Sequence, residues 1–446
     1  MARKNGFRRS LSRRDFLRLS AGGLGAAAFA GLPMPMFRQQ TKGLTGRVEV
    51  WGFPGTIDHF MAAEAELEAA YAGLDIVIQS YGYLEAHTNI TNALVSGAGV
   101  PELVNYDVAY LGDFAAAMSD LTDLFAPFAD QFVPIAVKLA SAGGRLLGLP
   151  QDNQPMGLAY RADIFEQYGI TEDDLTTWEG YVEAAKKLYT DSNGKVHMLA
   201  MDAPGSQMAV LGAPHQVHEV FLHLAGYHGV FFNREDDKVI IDEPDAVAAI
   251  EVFRSICDPE VALISQTTDS SVAAYQSGLI ATNICPAWWP LGLTSQLADQ
   301  SGLWRIMRLP ALAEGGLRAA FQVPTCTGIP SVAANPEGAW GVLTEAQLTE
   351  EAQMRFFEIS GGIMPTNIAV VNEIASQEQA YFGGQKIYAL FNEILADIPD
   401  VWFGRGWVEA RTILTTGIEP IMRGEMPTED GLHAAAEDIR RSLGKS

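Results

Sequence analysis

The strand–helix–strand order at the head of the folded region restricts this chain more than any other feature. Val48-Glu49-Val50-Trp51 alternates apolar and polar residues, as a strand with one buried face does, and Gly52-Phe53-Pro54-Gly55 ends it in a loop. A helical stretch follows through Ala72, with Thr56 or Asp58 able to cap its start, and Leu74-Asp75-Ile76-Val77-Ile78 reads as a second strand. Strands joined through a helix lie parallel, which predicts an α/β fold. A helix around Asn89 to Ser96, a turn at Gly97-Ala98-Gly99-Val100-Pro101 and a third strand over Glu102 to Tyr106 continue the pattern.

Helix starts are legible further on. Thr176-Thr177-Trp178-Glu179 has the spacing of a capping box, and Trp178, Tyr181, Val182, Ala185, Leu188 and Tyr189 then share one helical face. Asp242-Glu243-Pro244 leads into a face of Val247, Ile250, Phe253 and Cys257, and Asn335-Pro336-Glu337 sets a capping side chain before an N1 proline. The alternation runs to the C-terminus without an internal repeat. A chain of 446 residues, 48% of them hydrophobic, exceeds what one core serves, so two domains are expected.

The first 30 residues stand outside that fold. Ser12-Arg13-Arg14-Asp15-Phe16-Leu17-Arg18 fits the twin-arginine export pattern, and the uncharged run Leu19 to Ala30 ends in Ala28-Phe29-Ala30, a small-x-small cleavage candidate. Residues 1–30 therefore read as a Tat signal peptide and 31–45 as a linker. The Tat translocase carries folded proteins, so the destination is periplasmic or extracellular, with the signal either removed or kept as an anchor. Position 31 is Gly, where a lipid-anchored protein would carry Cys. The first 30 residues hold seven of the 30 basic and one of the 54 acidic residues, leaving the remainder at about −30. Such a field repels phosphate backbones and excludes nucleic acid as a partner.

Enzyme signatures are missing: there is no G-x-S-x-G elbow, no phosphate-binding G-x-x-x-x-G-K-[ST] loop and no H-E-x-x-H helix. His215 and His218 are three apart without a matching ligand cluster, so no metal and no cofactor are expected. Cys257, Cys285 and Cys326 contain no C-x-x-C pair and allow either one disulfide or three free thiols. Trp288 and Trp289, held between Pro286 and Pro290 after the short apolar strand expected over Leu279 to Ile284, are candidates to stack on an apolar ligand face. Sugars have such faces, with hydroxyls that need carboxylate and amide partners at the rim. Trp402 and Trp407, bracketing Phe403-Gly404-Arg405-Gly406, present the same choice between ligand and core.

Four stretches carry a resemblance. They are Ala93-Leu94-Val95-Ser96-Gly97-Ala98-Gly99-Val100-Pro101-Glu102-Leu103-Val104 with Asp107 and Leu121-Thr122-Asp123-Leu124; Gly144 to Asp152 with Gly157 to Phe165 and Thr177-Trp178-Glu179; Tyr275 to Ala281 with Trp288; and Gly361 to Pro365 with Gly424 to Thr428. In this order they resemble the extracellular solute-binding proteins of carbohydrate ABC transporters, the family that includes maltose-binding protein. The chain departs at Glu102, where Asp is usual, and by the inserted pair Ala98-Gly99. The resemblance implies a two-lobed clamp of the periplasmic-binding-protein type II kind, each lobe a central sheet flanked by helices. Lobe 1 is expected over 46–152 and 326–370, and lobe 2 over 153–325 and 371–446. It further implies a monomer that captures a neutral sugar or oligosaccharide and hands it to the membrane permease subunits of an importer. A ligand-loaded sensor for a receptor is the alternative, and a Tat-exported cofactor enzyme a more distant one. The residues expected at the ligand are Phe53, Asp107, Asp152, Asn153, Gln216, His218, Trp288, Trp289 and Trp407.

Export rests on the arginine pair: replacing Arg13 and Arg14 with Lys should strand full-length precursor in the cytoplasm, as cell fractionation and immunoblotting would show.

Overall fold

The computed structural model describes Leu44–Ser446, apart from residues 203–207, 211–212, 216, 227–229, 234, 266–267 and 400. The elements that carry the argument are β1 (Gly46–Gly52), α1 (Asp58–Ala70), β2 (Leu74–Ser80), α2 (Tyr83–Ser96), β3 (Leu103–Asp107), β4 (Leu149–Pro150), β5 (Pro155–Arg161), α3 (Trp178–Asp191), α4 (Val217–Leu224), α5 (Pro244–Ile256), β6 (Thr282–Pro286), β7 (Trp304–Arg308), β8 (Ala320–Phe321), β9 (Thr325–Gly328), α6 (Pro336–Leu343), α7 (Ile387–Ala396), α8 (Trp407–Gly417) and α9 (Thr428–Leu443).

They form two principal sheets. The first runs β2-β1-β3-β9-β4. Its opening strands are parallel, with Val50 opposite Ile78 and Leu103, as the helical crossovers require. Val48 and Val50 are fully buried while Glu49 and Trp51 face the other way, which is the period-two pattern that made β1 readable. β9 returns antiparallel, placing Thr325 opposite Asp107 and Cys326 opposite Pro150. The second sheet is built on β5, which pairs antiparallel with β6, β7 and β8. Parallel order thus marks the opening of the first sheet, where helices return the chain to the same edge, while the strands around β5 are antiparallel.

Strand to strand the chain passes between the sheets at 151–154 and at 322–324, and these two passages lie side by side; it returns to the second sheet a third time through helices, with α7 packing on β5 and β7. Gln151 N donates to Thr325 O at 3.1 Å, and Gln322 N donates to Gln154 O at 2.9 Å.

Local signals held where side chain and backbone are neighbours. Thr177 Oγ1 accepts from Gly180 N at 3.2 Å at the head of α3, whose buried face is Trp178, Tyr181, Ala184, Ala185 and Leu188. α5 opens on Pro244 and buries Ile250 and Phe253. At α1 the expected caps do other work, since Thr56 Oγ1 donates back to Phe53 O and Asp58 Oδ2 accepts from Gly55 N. α2 begins at Tyr83, not near Asn89, because Ala86 and His87 join Ile90 and Ala93 on its buried face. The strand expected at Leu279 forms at Thr282–Pro286 instead, after a turn at Gly278 (φ +68°). The unusual Glu102 is buried, and its Oε2 accepts from Glu49 N at 2.8 Å, locking the turn before β3 onto β1.

Cys257, Cys285 and Cys326 are all free thiols. Burial pushes Cys257 and Cys285 up to about 12, so both remain protonated and unreactive. Among the described residues no helix is long and apolar enough to cross a membrane.

Asn335 ties α6 to β1: its Oδ1 accepts from Gly338 N at 3.0 Å and its Nδ2 donates to Thr45 O at 2.9 Å. Asn335→Ala should lower stability by about 1 to 2 kcal/mol, readable in urea denaturation.

Candidate functional site

Residues from both sheets converge beside the passages. On the first, β3 ends at Asp107, which is only 6% exposed. Its Oδ2 accepts from the Tyr83 hydroxyl, and its backbone N donates to His87 Nε2 at 3.1 Å. His87 Nδ1 lies 2.9 Å from Tyr83 O, so the ring proton belongs on Nδ1 and Nε2 serves as acceptor. Phe53 packs on Tyr83 and His87 with centroids 5.2 and 5.4 Å apart, and Tyr110 stacks on His87 at 4.3 Å. The result is a wall of four rings around one carboxylate.

The facing wall comes from α4 and α8. Arg411 grips Glu219 in both hands, Nε to Oε1 at 2.6 Å and Nη2 to Oε2 at 3.0 Å. Their side chains are 16% and 10% exposed. Burial opposes the guanidinium charge, but Glu219 more than offsets it, with Tyr83 and Asp107 adding to the same effect, so Arg411 stays firmly protonated. Burial raises the Glu219 carboxyl while Arg411 pulls it back. One turn along α4, His223 stacks on Phe321 at 4.7 Å, and burial first, then the Arg411 charge, push it down to about 3, leaving it neutral. Trp288 is half-buried, with its indole N–H donating to Gln322 Oε1 at 2.5 Å, next to Phe321. Carboxylates, a guanidinium and half-open aromatic rings suit a polar ligand with hydroxyls to pair and C–H faces to cover. Among the described residues no group of three or more His, Cys, Asp or Glu side chains could hold a metal.

A cavity of about 690 Å³ opens elsewhere, between β1 and α2, lined by Trp51, Tyr81, Asn89 and Asn92 among others. It shares no residue with this cluster.

The family model described as bacterial extracellular solute-binding protein matches residues 62–382. The chain belongs to that family. It is 23% identical over 422 residues to an arabinooligosaccharide-binding protein of Bacillus subtilis, covering 90% of this chain and 94% of the relative. It is likewise 23% identical over 406 residues to a lactose-binding protein of Rhizobium radiobacter, with 88% and 92% covered. The ABC transporter associated binding protein of B. animalis subsp. lactis, solved with β-1,6-galactobiose, superposes with a TM-score of 0.71 at 19% identity, over 90% of this chain and 99% of that one. The fold is thus the two-lobed clamp of the maltose-binding kind.

Within this solute-binding fold the expected site residues separate. Phe53 and Asp107 stand in the first wall and Trp288 beside the second. Asp152 and Asn153 are instead braces. Asp152 Oδ1 accepts from Thr325 N at 2.6 Å and Thr325 Oγ1 at 3.1 Å, while Oδ2 accepts from Gln154 Nε2 at 2.6 Å. Asn153 Nδ2 donates to Pro365 O at 2.6 Å. Both side chains are buried and spent on the chain itself. Trp289 is fully buried, edge-on to Trp304 at 6.0 Å, because it is the first residue of a helix that turns it into the core. Trp407 is also fully buried, stacked on Phe231 at 4.1 Å and against Phe403 at 4.6 Å; from α8 it is Arg411, one turn on, that joins the cluster. Gln216 and the side chain of His218 lie outside the described residues, as do Arg13 and Arg14.

Sequence reading missed Tyr83, His87, Glu219, His223 and Arg411. A signal existed: Tyr83–His87, Glu219–His223 and Trp407–Arg411 are each spaced i, i+4, which puts both members of a pair on one helical face.

The Asp152 carboxyl titrates at about 6, raised by burial against the pull of Thr325 and Gln154. A pKa above the unfolded value means the native state holds the more protons between about pH 4 and 6, so this group's contribution falls as pH rises through that window. Asp152→Asn keeps the acceptor for Thr325, and Gln154 can present its unpaired Oε1 to the new amide. The variant should gain on the parent as pH goes from 4 to 6, by up to about 3 kcal/mol in urea melts at stepped pH.

Proposed function

We propose that this protein is the extracytoplasmic substrate-binding component of an ABC importer, capturing a neutral sugar or oligosaccharide between two hinged lobes and delivering it to the membrane permease. The observation that carries this reading is the pair of walls just described: Asp107 with its ring of aromatics on one sheet, and the Arg411–Glu219 pair with Trp288 on the other. The cluster's cation is already held bidentately by a carboxylate. An anionic ligand taking the bidentate edge would have to displace Glu219, whereas hydroxyls can accept from the remaining guanidinium N–H groups and donate to the carboxylates. The names of the relatives support the same class, since those proteins bind arabinooligosaccharides and lactose.

In this reading lobe 1 comprises about 46–152 and 326–370, lobe 2 about 153–325 and 371–446, and the side-by-side passages at 151–154 and 322–324 form the hinge. Export by the Tat pathway would place the monomer at the outer face of the cytoplasmic membrane. No catalytic step is assigned, and binding energy goes into closing the clamp.

A thermal-shift panel of arabinotriose, lactose, β-1,6-galactobiose, glucose 6-phosphate and amino acids tests the ligand class. A neutral saccharide should raise the melting temperature and the phosphorylated one should not. Calorimetry on Trp288→Ala should then show affinity weaker by about 1 to 3 kcal/mol with an unchanged fold. A response to amino acids alone would overturn the reading.

A further inference from the structure

The loop Gly404-Arg405-Gly406, which feeds α8, is built in a way the ligand cluster does not require. Gly406 has φ +80°, and a Cβ there would lie 2.5 Å from Leu443 Cδ2. At Gly404 a Cβ would meet Asp237 Oδ1 at 2.7 Å and the Phe232 ring at 2.9 Å. Both glycines are therefore closely packed, against Leu443 of α9 at one and against Phe232 and Asp237 at the other, on the second-sheet side of the molecule. Towards Gly112 it presents backbone, while the Arg405 side chain is exposed to one side.

Its partner is the segment just after β3. Gly112 approaches so closely that a Cβ on it would stand 2.9 Å from Arg405 N and 2.9 Å from Gly404 C, inside any real carbon contact. Next to it, Asp113 Oδ1 accepts from Gly406 N at 3.0 Å. The short turn Val108–Tyr110, which leads out of Asp107, packs on α8 as well. Two segments from opposite sheets thus meet backbone to backbone, with one charge-assisted hydrogen bond across the join and a cavity of about 560 Å³ beside it.

We infer that the contact of Gly112-Asp113 with Gly404-Arg405-Gly406 is the stop that sets how far the two lobes close, and that Gly112 is a positioning residue for ligand binding. This rests on the clamp reading above. The reasoning is geometric. Gly112 lies five residues after Asp107, and Gly406 lies five residues before Arg411, so the join holds the two walls in register from one side. Any side chain at position 112 keeps the backbones apart, and the displacement passes directly to the Asp107–Arg411 separation. The close packing of Gly404 and Gly406 leaves the loop side little room to absorb the gap.

The test uses the full-length chain in a Cys257→Ser background, with nitroxide labels at Val95→Cys on α2 and Glu429→Cys on α9. Both positions are exposed, and Cys285 and Cys326 are buried. Pulsed electron resonance reads the inter-lobe distance with and without the best saccharide of the panel, and calorimetry reads affinity. In the parent, sugar should populate the short separation of this structure. Gly112→Val should remove that population and weaken binding about tenfold or more, as expected when the closed state falls to about a tenth. Asp113→Ala should move both readouts in the same direction by less. Should Gly112→Val fail to fold, Gly112→Ala and Asp113→Ala carry the test.

Parent-like distances and affinity in a folded position-112 variant would overturn the stop. Absence of the short separation in the parent under every condition would do the same. If no saccharide binds the parent, the sugar reading fails, and the stop is judged by whether substitution at 112 removes the short population of the unliganded chain.

Discussion

One buried carboxylate holds the architecture together. Asp152 sits where the chain first leaves the β1 sheet, and it receives donors from Thr325, where the chain comes back, and from Gln154 in the same passage. Burying a carboxylate is unfavourable, and three donors at hydrogen-bond distance offset part of that cost without cancelling it. The join fixes two strand connections side by side.

The two walls follow a common construction. Each helix that supplies the site offers a pair one turn apart, one member that anchors and one that reaches. Trp407 is enclosed by Phe231 and Phe403 while Arg411 meets Glu219. His87 is buried against Tyr110 while Tyr83, 42% exposed, extends its hydroxyl to Asp107. The Arg411–Glu219 pair is a poor source of stability, because desolvating both ions offsets most of their attraction. What it provides is orientation: a planar guanidinium held at two points has few ways to point its remaining N–H groups.

Neighbouring residues can take opposite roles, and Trp288 and Trp289 show why. The helix after Pro286 starts at Trp289, which turns that ring onto Trp304 and leaves Trp288 outside as its N-cap with a polar partner in Gln322. Nothing in the pair itself says where the helix begins. The capping residues Thr177 and Asn335 were readable because donor and acceptor lie three residues apart; Asp152 was not, because its principal donor lies 173 residues away.

The sequence by itself determined the α/β class, the parallel opening of the first sheet, the helix starts with caps in their own turn and the family, because each depends on residues close together in the chain or on an ordered set of short motifs. Tertiary structure alone decided which polar residues gather into the two walls and which brace the passages between the sheets. It spent Asp152 and Asn153 on the chain crossings, buried Trp289 and Trp407, and brought Arg411 to Glu219 across 192 residues. The physical reason is that a buried polar group takes whichever partner the packing brings within about 3 Å, and that partner's place in the sequence is set by topology, which local pattern does not encode.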